Sequence, residues 1–121
     1  MIETQDSVTD WTRRTFPRQP GEIRIRLRAL LEEVVECCHA GLMPIDVIEN
    51  TVARVLAKCM EEEDIDLQAE MADVQLCLWA LASETANDLS ALVNDKMAIN
   101  RARPKSYYDA KQVEKRERGI L

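Results

Sequence analysis

Apolar residues recur every three or four positions along most of the chain, which is the spacing of one face of an α-helix. In the second predicted helix this stripe consists of Ile23, Leu27, Leu30, Leu31, Val34 and Cys38. In the fourth it consists of Leu67, Met71, Val74, Leu78 and Leu81. We expect both stripes to face a core. Because Asp73 is the one charged residue between Met71 and Ser83, we also expect the fourth helix to be buried on most sides.

Helix-breaking and capping residues divide the chain into five helices and a tail. Pro44 suits the start of a helix, and Asn87 or Asp88 can cap another. The tail after Pro104 forms one more short helix, 107–117, or stays loose. The first predicted helix ends near Phe16, and the other four span about 21–39, 44–62, 66–85 and 88–103.

This arrangement predicts an all-α protein, a bundle of four to five helices. We expect one domain over residues 1–104 and a basic C-terminal tail over 105–121. A helix that is apolar on all sides is hard to bury inside one small bundle, so the pattern also favours a homo-oligomer.

The charge is unevenly distributed over the 121 residues, although the net charge is −6. Residues 31–90 contain fourteen acidic and two basic residues, whereas residues 91–121 contain eight basic and four acidic ones. An acidic middle attracts cations, and a basic end can hold an anion such as a phosphate chain. The overall acidity argues against binding to polymeric nucleic acid.

Other features of the sequence argue for a cytoplasmic protein. No stretch approaches the roughly 18 apolar residues that a membrane span needs, so we expect no membrane partner. The first ten residues lack the basic start and apolar centre of a secretory signal. We expect the four cysteines to be reduced and mostly buried; they are Cys37, Cys38, Cys59 and Cys77.

Two pairs of carboxylates are the first candidate chemistry. Glu33 and Glu36 lie one turn apart among small neighbours, on a different face from the apolar stripe. Glu70 and Asp73 form a similar pair on the fourth helix. A carboxylate removed from water costs several kcal/mol unless a cation, a proton or a metal compensates it. A structural salt bridge is one alternative for Asp73, while four facing carboxylates would suit Mg²⁺ or Mn²⁺.

The fifth predicted helix adds a candidate anion site. Its inward stripe starts with apolar residues and continues, at helical spacing, with Lys96, Asn100 and Arg103. An ammonium, an amide and a guanidinium along one face can hold a phosphate chain. The alternative is that the two cations simply extend from the helix end into water.

These residues together resemble a known family, the MazG-like all-α nucleoside triphosphate pyrophosphohydrolases. The motif Glu32-Glu33-x-x-Glu36, the later Glu70-x-x-Asp73 and the final Lys96-x-x-x-Asn100-x-x-Arg103 occur in the order that the family shows. The resemblance covers about residues 7–108. The interval between the two acidic motifs is longer than in many members, and an extra helix fills it.

The resemblance implies a function and a role for each site residue. The metal ligands would be Glu33, Glu36, Glu70 and Asp73, with Mg²⁺ or Mn²⁺ bound, and the phosphates would be held by Lys96, Asn100 and Arg103. Trp11 would stack on the base and Tyr107 would close over the phosphates. A nucleoside triphosphate would be cleaved by water to a monophosphate and pyrophosphate. Purine deoxynucleotides are the favoured substrates, because a Trp platform suits a large base. The family also implies a homodimer or homotetramer.

Several alternatives stay open. Either Glu32 or Glu33 could take the proton of the attacking water. Glu36 and His39 form a Glu-x-x-His pair of the kind that di-iron bundles use. A non-enzymatic dimerisation or adaptor module would use the acidic helices as solvated faces and the basic tail as a docking segment. A phosphoribosyl-ATP pyrophosphohydrolase would share the chemistry and differ in substrate.

Overall fold

The computed structural model describes residues 2–119, and this part of the chain contains six α-helices and no β-strand. Residue 1 of the predicted domain and residues 120–121 of the predicted tail lie outside the described residues. The all-α prediction is therefore confirmed for the described range. The helices are α1 (Gln5–Thr15), α2 (Glu22–Ala40), α3 (Ile45–Glu61), α4 (Leu67–Glu84), α5 (Leu89–Ala102) and α6 (Lys105–Glu117).

The helix boundaries follow from residues at the helix ends. Thr4 and Ser7 form a capping box at the start of α1, each side chain accepting from the other residue's backbone N–H. Asp88 caps α5 by accepting from the N–H groups of Ser90 and Ala91. Pro44 precedes α3 in an extended conformation. These local signals explain why the predicted boundaries agree with the observed ones within two residues.

The described chain divides into two compact units. We call residues up to Pro20 together with residues from Leu76 onward the terminal unit, and Gly21–Gln75 the central unit. The terminal unit therefore holds α1, the end of α4, α5 and α6. The central unit holds α2, α3 and the start of α4.

The terminal unit has a small core. Its buried residues are Thr15, Ala82, Met97 and Tyr108. The Tyr108 hydroxyl donates a hydrogen bond of 3.0 Å to the backbone carbonyl of Asn100, which ties α6 to α5. Because this hydroxyl and this carbonyl satisfy each other, the phenol ring can be buried at little cost.

An ion pair fixes the N-terminal segment to α5 within the same unit. Arg101 donates from Nε and from one terminal nitrogen to the two carboxylate oxygens of Glu3, at 2.8 and 3.0 Å. The Glu3 side chain is only 5% exposed. Arg101 lowers the pKa of Glu3 to about 2, mainly through these hydrogen bonds, and Ser7 adds a further bond. The pair therefore forms a structural tie between two distant parts of the sequence.

The central unit lacks the core that its sequence predicts. Neither α2 nor α3 contains a buried residue, and α2 and α3 are the helices with the most extensive mutual contact. The two predicted core stripes are exposed, apart from the half-buried Cys38. The most exposed large apolar residues of the unit's helices are Ile23, Leu31, Ile45, Leu56, Met60 and Met71.

These exposures correct two predictions. Over residues 71–83 of α4 only Ala82 is buried, so the prediction of burial on most sides is wrong for the single chain. The cysteines are free thiols, as predicted, but three of them are exposed and Cys38 is half-buried. Periodicity identifies the apolar face of a helix, but it does not indicate whether the same chain covers that face.

No helix within the described residues is both long enough and apolar enough to cross a membrane.

Candidate functional site

The first acidic pair lies on α2 of the central unit. Glu33 and Glu36 are both exposed and are three positions apart in the sequence. Their carboxylates therefore project from neighbouring positions one turn apart on the helix. Glu32, the third acidic residue of the motif, is half-buried. The sequence therefore places two accessible carboxylates on one side of α2, where they can share a cation.

The second acidic pair lies in the first two turns of α4, also in the central unit. Glu70 and Asp73 have the same spacing as the first pair, and both are exposed. Asp66 precedes the helix and accepts a hydrogen bond from the N–H of Gln68, which fixes the start of α4. Because Glu70 and Asp73 are three positions apart within this helix, they lie on one face of it.

No cationic side chain neutralises these four carboxylates within residues 2–119. Lys58, one of the two cations of the acidic middle, pairs with Glu62 at 3.5 Å. The other, Arg54, forms no ion pair with Asp73. The salt bridge considered as an alternative for Asp73 is therefore not formed in the described part of the chain.

The four carboxylates also do not converge in the single chain. Among the described residues no three side chains of His, Cys, Asp or Glu lie close enough together to hold a metal ion. The donor set itself fits a hard cation, since it consists of carboxylate oxygens with no thiolate or imidazole. The metal site and its ligands therefore stay predictions, which require α2 and α4 surfaces to be brought together.

The predicted anion-binding residues lie at the end of α5 and the start of α6, within the terminal unit. Lys96 is exposed, Asn100 is half-buried, and Arg103 is the half-buried residue that follows the last turn of α5. The guanidinium carbon of Arg103 lies 4.5 Å from the centroid of the Tyr107 ring, which is a cation–π contact. Arg103 and Tyr107 are thus brought together, as a joint role in binding requires.

Tyr107 also contacts a residue that the sequence reasoning missed. The ammonium nitrogen of Lys111 lies 5.0 Å from the Tyr107 ring centroid. The interaction of this ammonium with the phenol group is the main cause of a lowered pKa of Tyr107, and the positive charge of Arg103 contributes. The same interaction raises the pKa of Lys111. The i+4 spacing of Lys111 to Tyr107 is a signal for this contact under the helical alternative for the tail, 107–117.

Trp11 lies in an aromatic cluster of the terminal unit. Its ring meets that of Tyr108 edge-on at 5.3 Å between centroids and that of Phe16 at 6.1 Å. Tyr108 in turn meets Tyr107 edge-on at 5.1 Å. Trp11 is half-buried, so part of the indole packs within the unit and part is accessible. The cluster connects the predicted base-stacking residue to the predicted phosphate-binding tyrosine.

We compared the chain with known proteins and found no relative. No protein-family model matches the sequence, and neither a curated protein nor a solved structure matches it. The resemblance to MazG-like enzymes therefore depends on the residues named above and stays a prediction.

Proposed function

We propose that the chain is a metal-dependent nucleoside triphosphate pyrophosphohydrolase of the MazG-like kind. It would hydrolyse the bond between the α- and β-phosphates and release a monophosphate and pyrophosphate. The observation that carries the proposal is the set of four carboxylates, in two pairs of identical spacing, without a cationic partner in the described chain. The basic cluster around Tyr107 supports it, because a triphosphate needs cationic donors.

In this proposal, one group of residues binds the metal and another binds the phosphates. Glu33, Glu36, Glu70 and Asp73 would hold Mg²⁺ or Mn²⁺, and a bound ion of this kind supplies Lewis-acid stabilisation of phosphate oxygens. Glu32 or Glu33 would accept a proton from the attacking water as its oxygen bonds to the α-phosphorus. The bond from that phosphorus to the bridging oxygen breaks, and pyrophosphate leaves with the electron pair.

Lys96, Asn100 and Arg103 would supply the donors that hold the phosphate chain. Arg103 offers a planar guanidinium that can donate two parallel hydrogen bonds to a phosphate, and Lys96 offers a mobile ammonium. The backbone carbonyl of Asn100 already accepts from Tyr108, and its side-chain nitrogen lies 3.8 Å from the Met97 sulfur. This weak contact leaves the amide nitrogen available to a phosphate oxygen.

A homo-oligomer is part of the proposal. Exposed apolar surface of the extent seen on α2 and α3 marks an interaction site in a soluble protein. A second copy presents the same apolar faces, so two-fold pairing would cover both at once. A dimer or tetramer of this kind would also bring further carboxylates to α2 and α4.

The direct test is a hydrolysis panel with the pure protein. Common and deoxy nucleoside triphosphates and phosphoribosyl-ATP are incubated with Mg²⁺, Mn²⁺ or chelator, and the products are separated. We expect metal-dependent release of pyrophosphate, lost in Asp73→Asn and Glu33→Gln. Glu63→Gln is the matched control, since it removes an exposed carboxylate outside both pairs. If phosphoribosyl-ATP is the one substrate that is hydrolysed, the protein is a phosphoribosyl-ATP pyrophosphohydrolase.

A dimerisation or adaptor module is the second candidate function. It is favoured by the exposed apolar faces of α2 and α3 and by the separation of the carboxylates in the single chain. It predicts no turnover of any substrate and no rise in melting temperature with either metal. Those two results together would refute the enzymatic proposal.

A further inference from the structure

Two cationic side chains contact the Tyr107 ring in the terminal unit, and the charge of a third acts on its hydroxyl. The charged centres of Arg103 and Lys111 lie 4.5 and 5.0 Å from the same ring centroid. Lys96 is close enough that its charge helps to lower the pKa of the phenol. Like charges this close repel one another, so the arrangement favours an anion that can interact with all of them.

The neighbouring carboxylates of α6 form their closest ion pairs with other cations. Glu114 pairs with Arg118 at 2.9 Å, and Asp109 pairs with Lys105 at 3.3 Å. The charge of Glu114 also acts on Lys111, where it helps to raise the pKa of the ammonium without forming an ion pair with it. Within residues 2–119, none of the three cations around Tyr107 forms an ion pair with a carboxylate. The cluster is therefore a local positive region in a chain whose net charge is −6.

We propose that Lys111 is a further substrate-binding residue, which together with Arg103 and the Tyr107 hydroxyl holds a polyphosphate chain. This inference rests on the proposed function and deepens it, because it adds a donor on α6 to those at the end of α5. Contact with the Tyr107 ring restrains both cations before the ligand arrives, so less side-chain entropy is lost on binding.

The arrangement also favours the longer of two phosphate ligands. The guanidinium of Arg103 and the ammonium of Lys111 contact one ring. Pyrophosphate offers these two cations more acceptor oxygens and more negative charge than orthophosphate does. We therefore expect pyrophosphate to bind more tightly than orthophosphate.

The test measures pyrophosphate binding to the full chain by calorimetry, with chelator present and no divalent metal. Lys111→Gln removes the proposed donor. Lys105→Gln removes an equal charge from the same helix at a residue paired with Asp109. We expect roughly tenfold or greater weakening for Lys111→Gln, about twofold or less for Lys105→Gln, and retained binding for Lys111→Arg.

Each outcome supports or overturns the inference. If wild-type protein does not bind pyrophosphate, or if both glutamine variants weaken binding equally, Lys111 is not a specific donor. Nucleotide turnover whose KM is unchanged by Lys111→Gln would overturn the inference and leave the proposed function standing. A further outcome is that Lys111→Gln selectively loses pyrophosphate binding while the wild-type protein turns over no nucleotide. That result would support the anion site and refute the proposed reaction.

Discussion

Replacing Leu31 of α2 by aspartate tests whether a second copy covers the exposed apolar faces. In the single chain Leu31 is 59% exposed, so a polar substitution there should change the stability of an isolated chain by about 0.5 kcal/mol or less. If a partner covers this face, the same substitution removes apolar contact and places a charge in the interface.

The size of the effect follows from the exposed fraction. Full burial of a leucine side chain contributes about 1.5–3 kcal/mol, and covering the 59% of Leu31 that is exposed therefore contributes about 1–2 kcal/mol. A two-fold dimer contains the residue twice, so the dissociation free energy should fall by about 2–4 kcal/mol. The dissociation constant should rise by roughly 30-fold to 1,000-fold, before the cost of the buried charge is added.

The assay is analytical ultracentrifugation over a dilution series. Leu31→Met is the matched control, because it retains an apolar side chain of similar volume. We expect Leu31→Asp to dissociate at concentrations at which the wild type and Leu31→Met remain associated. If Leu31→Asp has the same oligomeric state and dissociation constant as the wild type, this face is not the interface and the reasoning is refuted.

Three further predictions concern the core, the N-terminal tie and the metal. Tyr108→Phe leaves the Asn100 carbonyl without its hydroxyl donor, so thermal unfolding should show a loss of about 1 kcal/mol; an unchanged melting curve would mean that water replaces the bond at no cost. Arg101 holds the pKa of Glu3 at about 2 against an ordinary 4.5, so the stability from this pair is complete above pH 4.5 and lost as pH falls towards 2. Melting curves of Glu3→Gln should therefore depend less on pH over that window than those of the wild type, and equal slopes would contradict the assignment. Mg²⁺ at about 100 times its dissociation constant should stabilise the wild type by about 2.7 kcal/mol and Asp73→Asn by much less; an equal gain in both would exclude Asp73 as a ligand.

The sequence predicts the helices well because their boundaries depend on local chemistry. The cap at Asp88 and the break at Pro44 involve atoms within a few residues, so they are visible in the sequence itself. The end of α1 is also a local effect, because Pro17 disfavours helical backbone at the residue before it. Each of these features fixes a boundary without any contribution from the rest of the fold.

The burial of the helices could not be predicted in this way. The periodic stripe containing Leu31 identifies which side of α2 is apolar, but the covering partner depends on distant parts of the chain or on another chain. The pairing of Glu3 with Arg101 has the same character, since nothing local in either segment points to the other. Lys111 is an intermediate case, because its spacing to Tyr107 is local but becomes informative only once α6 is known to be a helix.

If a second copy covers the apolar faces, we expect that coverage and the proposed metal binding to be energetically linked. In the single chain Asp73 is exposed, so its charge is solvated and needs no counter-ion. It is the one charged residue in the helical segment 71–83, and any partner that covers the apolar surface around it also removes water from its carboxylate. That desolvation costs several kcal/mol unless a cation compensates it. Since Arg54 and Lys58 do not pair with Asp73 in the described chain, a divalent metal would provide the compensation, and oligomer formation should strengthen with added Mg²⁺.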